Sequence, residues 1–476
     1  MSFEDRKECF LMSQTPTRGS AKVIGVSVAA AVGGFLFGFD SSVINGAVDA
    51  IEGRFSLGSF TTGFVVAIAL IGCAVGAWFA GSLADRWGRK KVMVLGSALF
   101  TISSVGSGLA FSVPDLILWR ILGGLGIGIA SVIAPAYIAE IAPAKWRGSL
   151  ASLQQLAITL GIFAALLSDA LLQGAADGAS NDLWLGLEAW RWMFLVGVVP
   201  ALIYGLLAVT IPESPRYLVG KHLDDEAAEI LANITGELHP DERVHEIRLT
   251  LRKEEKSSFN DIRGSKFGLQ PIVWVGIIMA VLQQLVGINA IFYYSTTLWK
   301  SVGFTEDQSF ATSVITSIIN VTMTFVAILF VDRIGRRKLL LGGSIGMFVG
   351  LAMAAVSFSQ QIGSGDDVTL PSPWGAVALI GANLFVIFFA ATWGPIMWVL
   401  LGEMFPNRMR AVALGIGTAA NWIANFAVTL AFPPLTQTVG LWVIYGFFAL
   451  MAAVSFFFVR SNIPETKGME LEDMKN

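Results

Sequence analysis

The sequence predicts an all-α membrane protein of twelve transmembrane helices, arranged as two pseudo-symmetric six-helix bundles with short cytosolic helices between them. Three observations carry that prediction. The 476 residues are 54% hydrophobic and only 14% charged, with a mean hydropathy of +0.67, which is more apolar surface than a soluble core of this length needs. The chain breaks into twelve mostly apolar runs, each long enough at 1.5 Å per residue to cross about 30 Å of hydrocarbon. The charged punctuation between the runs repeats in the same order in both halves.

The repeat is explicit. Asp85-Arg86-Trp87-Gly88-Arg89-Lys90, then Glu140 to Arg147, then Pro212-Glu213-Ser214-Pro215-Arg216 are matched by Asp332-Arg333-Ile334-Gly335-Arg336-Arg337, Glu403 to Arg410, and Pro464-Glu465-Thr466-Lys467-Gly468. The offsets are 247, 263 and 252 residues, so three landmarks agree on a duplication of about half the chain.

Residues 1–22 carry Glu4, Asp5 and Glu8 before any apolar run. That is unlike the basic start of a cleaved signal peptide, and the segment reads as a cytosolic tail. The first bundle, 23–211, holds runs near 23–48, 60–83, 92–112, 115–137, 150–172 and 192–211. Residues 212–269 form the one long polar stretch. Within it, about 224–231 and 240–256 are charge-rich with apolar residues at three- or four-residue spacing, so short helices are expected there. They make either a solvated linker or, as the favoured reading, a small domain packed under both bundles. The second bundle, 270–460, holds runs near 270–297, 309–331, 339–359, 373–401, 411–432 and 438–460, the tenth open to a break at Pro395. Residues 461–476 are a second cytosolic tail.

Basic residues set the orientation. Arg86, Arg89, Lys90 and Lys91 follow the second run, Lys145 and Arg147 the fourth, Arg333 to Lys338 the eighth, and Arg408 and Arg410 the tenth. All fall on one side, with the central stretch and both termini. The opposite loops carry acids such as Asp177, Asp182, Asp366 and Asp367. The expectation is a monomeric, multi-pass protein of the plasma membrane, embedded in the lipid bilayer with both termini cytosolic. A net charge of −3 gives no reason to expect a nucleic-acid partner. Cys9 and Cys73 make no disulfide framework. His222, His239 and His245 all lie in the central stretch, so no metal site, cofactor or nucleophile–base set is expected, and neither is an enzyme. The run GGLGIG at 123–128 sits in an apolar helix and follows no strand. It reads as a helix–helix contact and not as a dinucleotide loop.

A charge within a span is costly, about 2.5 to 3.5 kcal/mol at the centre on insertion scales, so each one calls for a partner or a role. Asp40 lies roughly 12 Å and Arg120 roughly 8 Å from the same membrane surface at 1.5 Å per residue, so the two can pair. A carboxylate that takes up a proton there loses its attraction to the guanidinium, which would bias the packing of the two halves. Polar stripes run along other spans: Ser152, Gln155 and Thr159 on the fifth, and Ser313, Ser317, Asn320 and Thr324 on the eighth, each at helical spacing. The seventh has Gln283, Gln284 and Asn289 around Gly287, the tenth Gly394-Pro395 and Trp398, and the eleventh Asn421, Trp422 and Asn425. Amides both donate and accept hydrogen bonds, and an indole face covers the apolar face of a sugar ring, so the set suits a neutral polyhydroxylated ligand.

With these residues in view, the chain resembles the sugar porter family of the major facilitator superfamily, in particular bacterial sugar/proton symporters and facilitative glucose transporters. The resemblance rests on GSLADRWGRKK, PAYIAEIAPAKWRG, PESPRYL, QQLVGINAIFYY, VDRIGRR, TWGPIMWVLLGEMFPNRMR and PETKG, and it covers nearly the whole chain. It implies the major facilitator fold, with the substrate held between the bundles near the midplane and released by alternating access. By resemblance the sugar-binding positions are Gln155, Gln283, Gln284, Asn289, Asn320, Trp398 and Asn421, with Trp422 alongside. Asp85, Arg86, Arg89, Glu140, Arg147, Glu213, Arg216, Asp332, Arg333, Arg336, Glu403 and Arg410 would form a cytosolic network that latches the inner face when the carrier opens outward. Proton-coupled members have an aspartate where Asp40 stands and uniporters typically an asparagine, so Asp40 and Arg120 imply proton symport. Asn421 stands where some symporters have glutamine and glucose facilitators have asparagine, so the resemblance does not choose between a hexose or pentose and a polyol such as myo-inositol. A uniporter and a sugar-sensing receptor are the further alternatives. Such receptors usually have a long signalling tail, and only 16 residues follow Arg460.

Overall fold

The computed structural model describes residues 18–142, 147–253, 262–264, 268–362, 369–405 and 409–465. Among these, twelve helices are long and apolar enough to cross a membrane, as the hydropathy pattern predicts. The first span, Arg18–Phe55, is longer at both ends than its apolar run, because lipid thickness limits the run and not the helix. It ends where Ser56 takes a φ of 52°. The second span is Ser59–Trp87, the third Arg89–Gly108, the fourth Val113–Ile141, the fifth Arg147–Ala176 and the sixth Ala189–Thr210.

The second and fourth spans are held together by their glycines. A Cβ added at Gly124 or Gly128 would run into the backbone oxygen of Ala69 or Cys73, so GGLGIG is the close helix contact that its sequence predicts. Gly128→Val is therefore expected to reduce the folded, monodisperse protein several-fold by fluorescence-detected size exclusion, since overpacking a rigid contact destabilises by about 1–3 kcal/mol or more. Gly25→Ala, at a site with open space around it, should leave that peak unchanged.

Between the fifth and sixth spans the chain departs from the all-α expectation. Asp182–Trp184 and Leu187–Glu188 pair as a small antiparallel hairpin around Leu185 and Gly186, both at positive φ, as a tight two-residue hairpin turn requires.

In the second bundle the seventh span is broken. Pro271–Leu285 and Ile288–Lys300 meet at Gly287, whose φ of 85° only glycine adopts without strain. The eighth span is Glu306–Ile334 and the ninth Arg336–Phe358. The tenth runs from Trp374 to Phe388, widens into a π-turn over Phe389–Trp393, and continues as Gly394–Glu403. Pro395 has no N–H to donate, and the wider turn absorbs the missing bond without ending the helix. The eleventh span is Arg410–Thr438 and the twelfth Leu441–Asn462.

The central stretch forms helices Pro215–Gly220, Asp224–Ile230 and Pro240–Lys253, with a π-turn at Leu231–Thr235. Leu218, Val219, Ala227, Leu231 and Val244 make a small core of their own. Among the described residues this body packs on the first bundle. Lys22 Nζ donates to the Asn233 carbonyl at 3.0 Å, and the Tyr217 hydroxyl contacts the Arg86 carbonyl at 3.4 Å. The two bundles meet where the second span faces the eleventh, the fifth faces the eighth, and the outer part of the seventh faces the first.

Candidate functional site

Asp40 on the first span and Arg120 on the fourth are 6% and 3% exposed. Arg120 Nη1 donates to Asp40 Oδ1 at 3.1 Å, so the depth argument from sequence brings together two groups that do pair. The Phe194 ring lies 5.9 Å from the guanidinium carbon, and Arg120 Nε has no hydrogen-bond partner. The pair borders a cavity of about 10 Å³ shared with Ser41, Cys73 and Tyr293, about the size that admits one water. Tyr293 belongs to the seventh span, so a residue of the second bundle closes the cavity around an ion pair of the first.

The broken seventh span positions the amides. Gln283 and Gln284 sit in the last turn before the break and Asn289 just after it. Asn289 Nδ2 donates to Gln284 Oε1 at 2.7 Å, Gln284 Nε2 to Asn421 Oδ1 at 3.1 Å, and Asn421 Nδ2 to Gln283 Oε1 at 2.9 Å. Gln283 Nε2 donates to the Trp393 carbonyl at 3.0 Å, within the π-turn of the tenth span. Four side chains from two spans thus form one connected network, tied to a third through the backbone. Their hydrogen bonds are exchangeable for those of a hydroxyl-rich ligand. Trp422 is buried beside Asn421 and meets Phe37 of the first bundle edge-on, with 5.5 Å between ring centroids. Asn320 is buried, and Gln155 and Trp398 are half-buried, but these three stand outside the amide network. Gln154, which sequence reasoning passed over, is more buried than Gln155, and its Oε1 has no partner.

The loops with most bases define a basic face and the opposite loops an acidic face. Toward the acidic face the bundles are bonded together. Asn45 Nδ2 donates to the Phe292 carbonyl at 2.7 Å, and Asn45 Oδ1 accepts from Thr296 N at 3.1 Å. Asp49 pairs with Lys300 at 2.8 Å, Gln173 Nε2 donates to Asp307 Oδ1 at 3.0 Å, and Glu306 Oε1 accepts from Ala179 N at 3.1 Å. The acidic face is closed.

On the basic face the described pairs lie within a bundle. Arg89 grips Glu140 with two bonds, 3.0 Å from Nε and 2.9 Å from Nη2, and reaches Asp85 at 3.2 Å. Glu213 Oε1 accepts from Arg89 N at 2.9 Å, and in the second half Glu465 Oε1 accepts from Arg336 N at the same distance. Each carboxylate caps the positive end of a span that starts after a left-handed glycine, Gly88 or Gly335, where backbone N–H groups are free. Glu465, named from sequence only as part of the repeat, was not among the expected latch residues. Its place in PETKG, the counterpart of PESPR, is the signal that could have found it. Asp85, Arg86 and Arg333 are exposed, and Arg216 and Arg336 half-buried. The side chains of Arg147, Asp332, Glu403 and Arg410, with residues 143–146 and 406–408, lie outside those described, as do Asp366, Asp367, Cys9 and the side chain of Ser152.

The family model for sugar (and other) transporters matches residues 26–476. The chain is 51% identical over 466 residues to a glucose transport protein of Synechocystis, covering 97% of this chain and 99% of the relative. It is 37% identical to an arabinose-proton symporter of Bacillus subtilis, covering 95% and 94%. The inward-open structure of the xylose transporter XylE from Escherichia coli superposes with a TM-score of 0.81 at 33% identity, covering 95% of this chain and 99% of that one.

Proposed function

The chain belongs to the sugar transporter family, and on that premise we propose that it imports a monosaccharide, a hexose or a pentose, together with a proton by alternating access. In this reading the basic face is cytosolic, the acidic face is outer, and the membrane is the plasma membrane. The observation that carries it is the buried Asp40–Arg120 pair at a cavity closed by Tyr293 of the other bundle. A proton on Asp40 replaces a charge–charge bond with a neutral one, and in a buried setting that change alters the balance between packings by several kcal/mol. The neighbouring amide network supports a neutral sugar as cargo, and the glucose, arabinose and xylose carriers among its relatives support a hexose or pentose. One proton moving down about 100 mV supplies about 2.3 kcal/mol, sufficient for roughly 50-fold accumulation of a neutral solute.

The test is uptake of labelled glucose, xylose, arabinose and myo-inositol by transporter-deficient cells, with and without a protonophore. Accumulation of one monosaccharide that collapses to equilibration with the protonophore is the expected result. Equilibration unaffected by the protonophore would leave a uniporter. Transport of myo-inositol alone would make the cargo a polyol, and no transport of any compound would favour a sugar-sensing receptor.

A further inference from the structure

Among the described residues, three charged side chains are buried: Asp40, Arg120 and Asp169. The transport reading uses only the first two. Asp169 lies on the fifth span and is 0% exposed. Its Oδ2 takes a long hydrogen bond of 3.3 Å from Gly46 N of the first span, and its Oδ1 has no partner. The approach depends on Gly46, where an added Cβ would lie 2.8 Å from both the Cβ and Oδ2 of Asp169.

The position is informative. Asn45, next to Gly46, bonds the first bundle to the second through Phe292 and Thr296. One turn further along the fifth span, Gln173 bonds to Asp307 of the eighth. Asp169 therefore sits directly behind the contacts that close the outer face.

Among the described residues no cation answers it. The elements around it carry Asp40, Asp49, Glu52 and Arg54 on the outer part of the first span, Arg120 on the fourth, Glu188 and Arg191 at the sixth, Asp182 on the hairpin, and Glu306 and Asp307 on the eighth, and Arg54 is drawn to Glu188 at 3.5 Å. Arg120 is held by Asp40 at 3.1 Å, Arg191 by Glu188 at 2.9 Å, and Lys300 of the seventh span by Asp49 at 2.8 Å. A carboxylate at 169 would be buried in a membrane protein with no counter-charge and one weak donor. A carboxylic acid avoids that penalty and gains an O–H to offer a helix carbonyl.

We propose that Asp169 is a proton-gating residue: the outer face closes only when Asp169 holds a proton, and the proton returns to the outside when the fifth and eighth spans part and water reaches it. The proposal rests on the reading of the chain as a proton-coupled importer and adds a step that Asp40 does not perform. Because Asp169 faces only the outer closure, its proton comes from and goes back to the same side. It steepens the dependence of transport on external protons without changing the number of protons carried per sugar.

The experiment uses the full chain reconstituted in vesicles. Initial rates of sugar counterflow are measured against external pH at fixed internal pH for wild type, Asp40→Asn, Asp169→Asn and the double variant. The expected result is that Asp40→Asn still slows as the external solution becomes alkaline, and that the double variant loses this fall. In an otherwise native chain, Asp169→Asn should reduce the apparent number of external protons governing uptake from about two to about one, with the proton-to-sugar ratio unchanged. Identical pH profiles for Asp40→Asn and the double variant would overturn the proposal, as would a changed proton-to-sugar ratio in Asp169→Asn. If wild-type uptake ignores the protonophore but still follows external pH, the import reading fails, and the comparison of Asp40→Asn with the double variant still reports on Asp169 separately. Should Asp169→Asn not fold, infrared difference spectra of folded Asp40→Asn protein decide. A buried carboxylic-acid carbonyl band in the outward-closed form is expected, and its absence would refute the gate.

Discussion

Asp40→Asn is expected to abolish accumulation of sugar above its external concentration, while equilibrating exchange between labelled and unlabelled sugar persists. The fall is from roughly 50-fold accumulation, the limit set by one proton at about 100 mV, to none. The argument runs through the ion pair. Arg120 is 3% exposed, and among the described residues its only ion-pair partner is Asp40, 3.1 Å away. Asparagine keeps the size and the acceptor oxygen of a protonated aspartate, so the variant resembles the carrier fixed in its proton-loaded form. Such a carrier has no reason to wait for a proton and no proton to release, so sugar moves in either direction according to its own gradient. The measurement is protonophore-sensitive accumulation alongside counterflow in the same vesicles. Undiminished, protonophore-sensitive accumulation by the variant would remove Asp40 from the coupling. Arg120→Leu is the harsher change, because it strands a buried carboxylate, and it should lower the yield of folded protein as well.

Gln284→Ala is expected to raise KM for the transported sugar about 5- to 150-fold, the equivalent of about 1–3 kcal/mol for a buried polar group deprived of its partners. Gln284 is the link between Asn289 on one side of the helix break and Asn421 on the eleventh span, at 2.7 and 3.1 Å. In the proposed sugar site its removal would delete a ligand contact, and it would also free the two amides that it orients. The effect should appear in KM for counterflow, which involves no net proton movement, so it is separable from the effect of Asp40. A KM within about twofold of wild type would exclude Gln284 from the sugar site, since even one neutral hydrogen bond is worth about that much or more.

Much of this was legible in the sequence, for definite reasons. Twelve spans and a duplicated half follow from run length and repeated charge, two properties that lipid imposes directly on composition. Gln283, Gln284, Asn289 and Asn421 were named by resemblance, and the structure joins them in one hydrogen-bonded network. Gln155, Asn320 and Trp398 came from the same resemblance and stand apart from it, because helical spacing gives a face but not a distance. Asp169 was missed for a simpler reason. The apolar run ends near 172, which puts the acid close to the membrane surface. In the structure the helix continues to Ala176 and the surrounding spans cover the residue completely. Asn45, Thr296 and the Asp49–Lys300 pair were equally silent, since contacts between bundles join positions about 250 residues apart that no local pattern connects.

The small helical body after the sixth span has a mechanical consequence. Although 58 residues separate the two bundles in the sequence, those up to Lys253 ride with the first bundle. Ile262 is already buried in the main core, and its carbonyl accepts from Gln270 N at 2.9 Å. The helical body therefore travels as part of the first bundle when the two halves rock, and its contacts from Lys22 to Asn233 and from Tyr217 to Arg86 should be the same at both ends of the stroke.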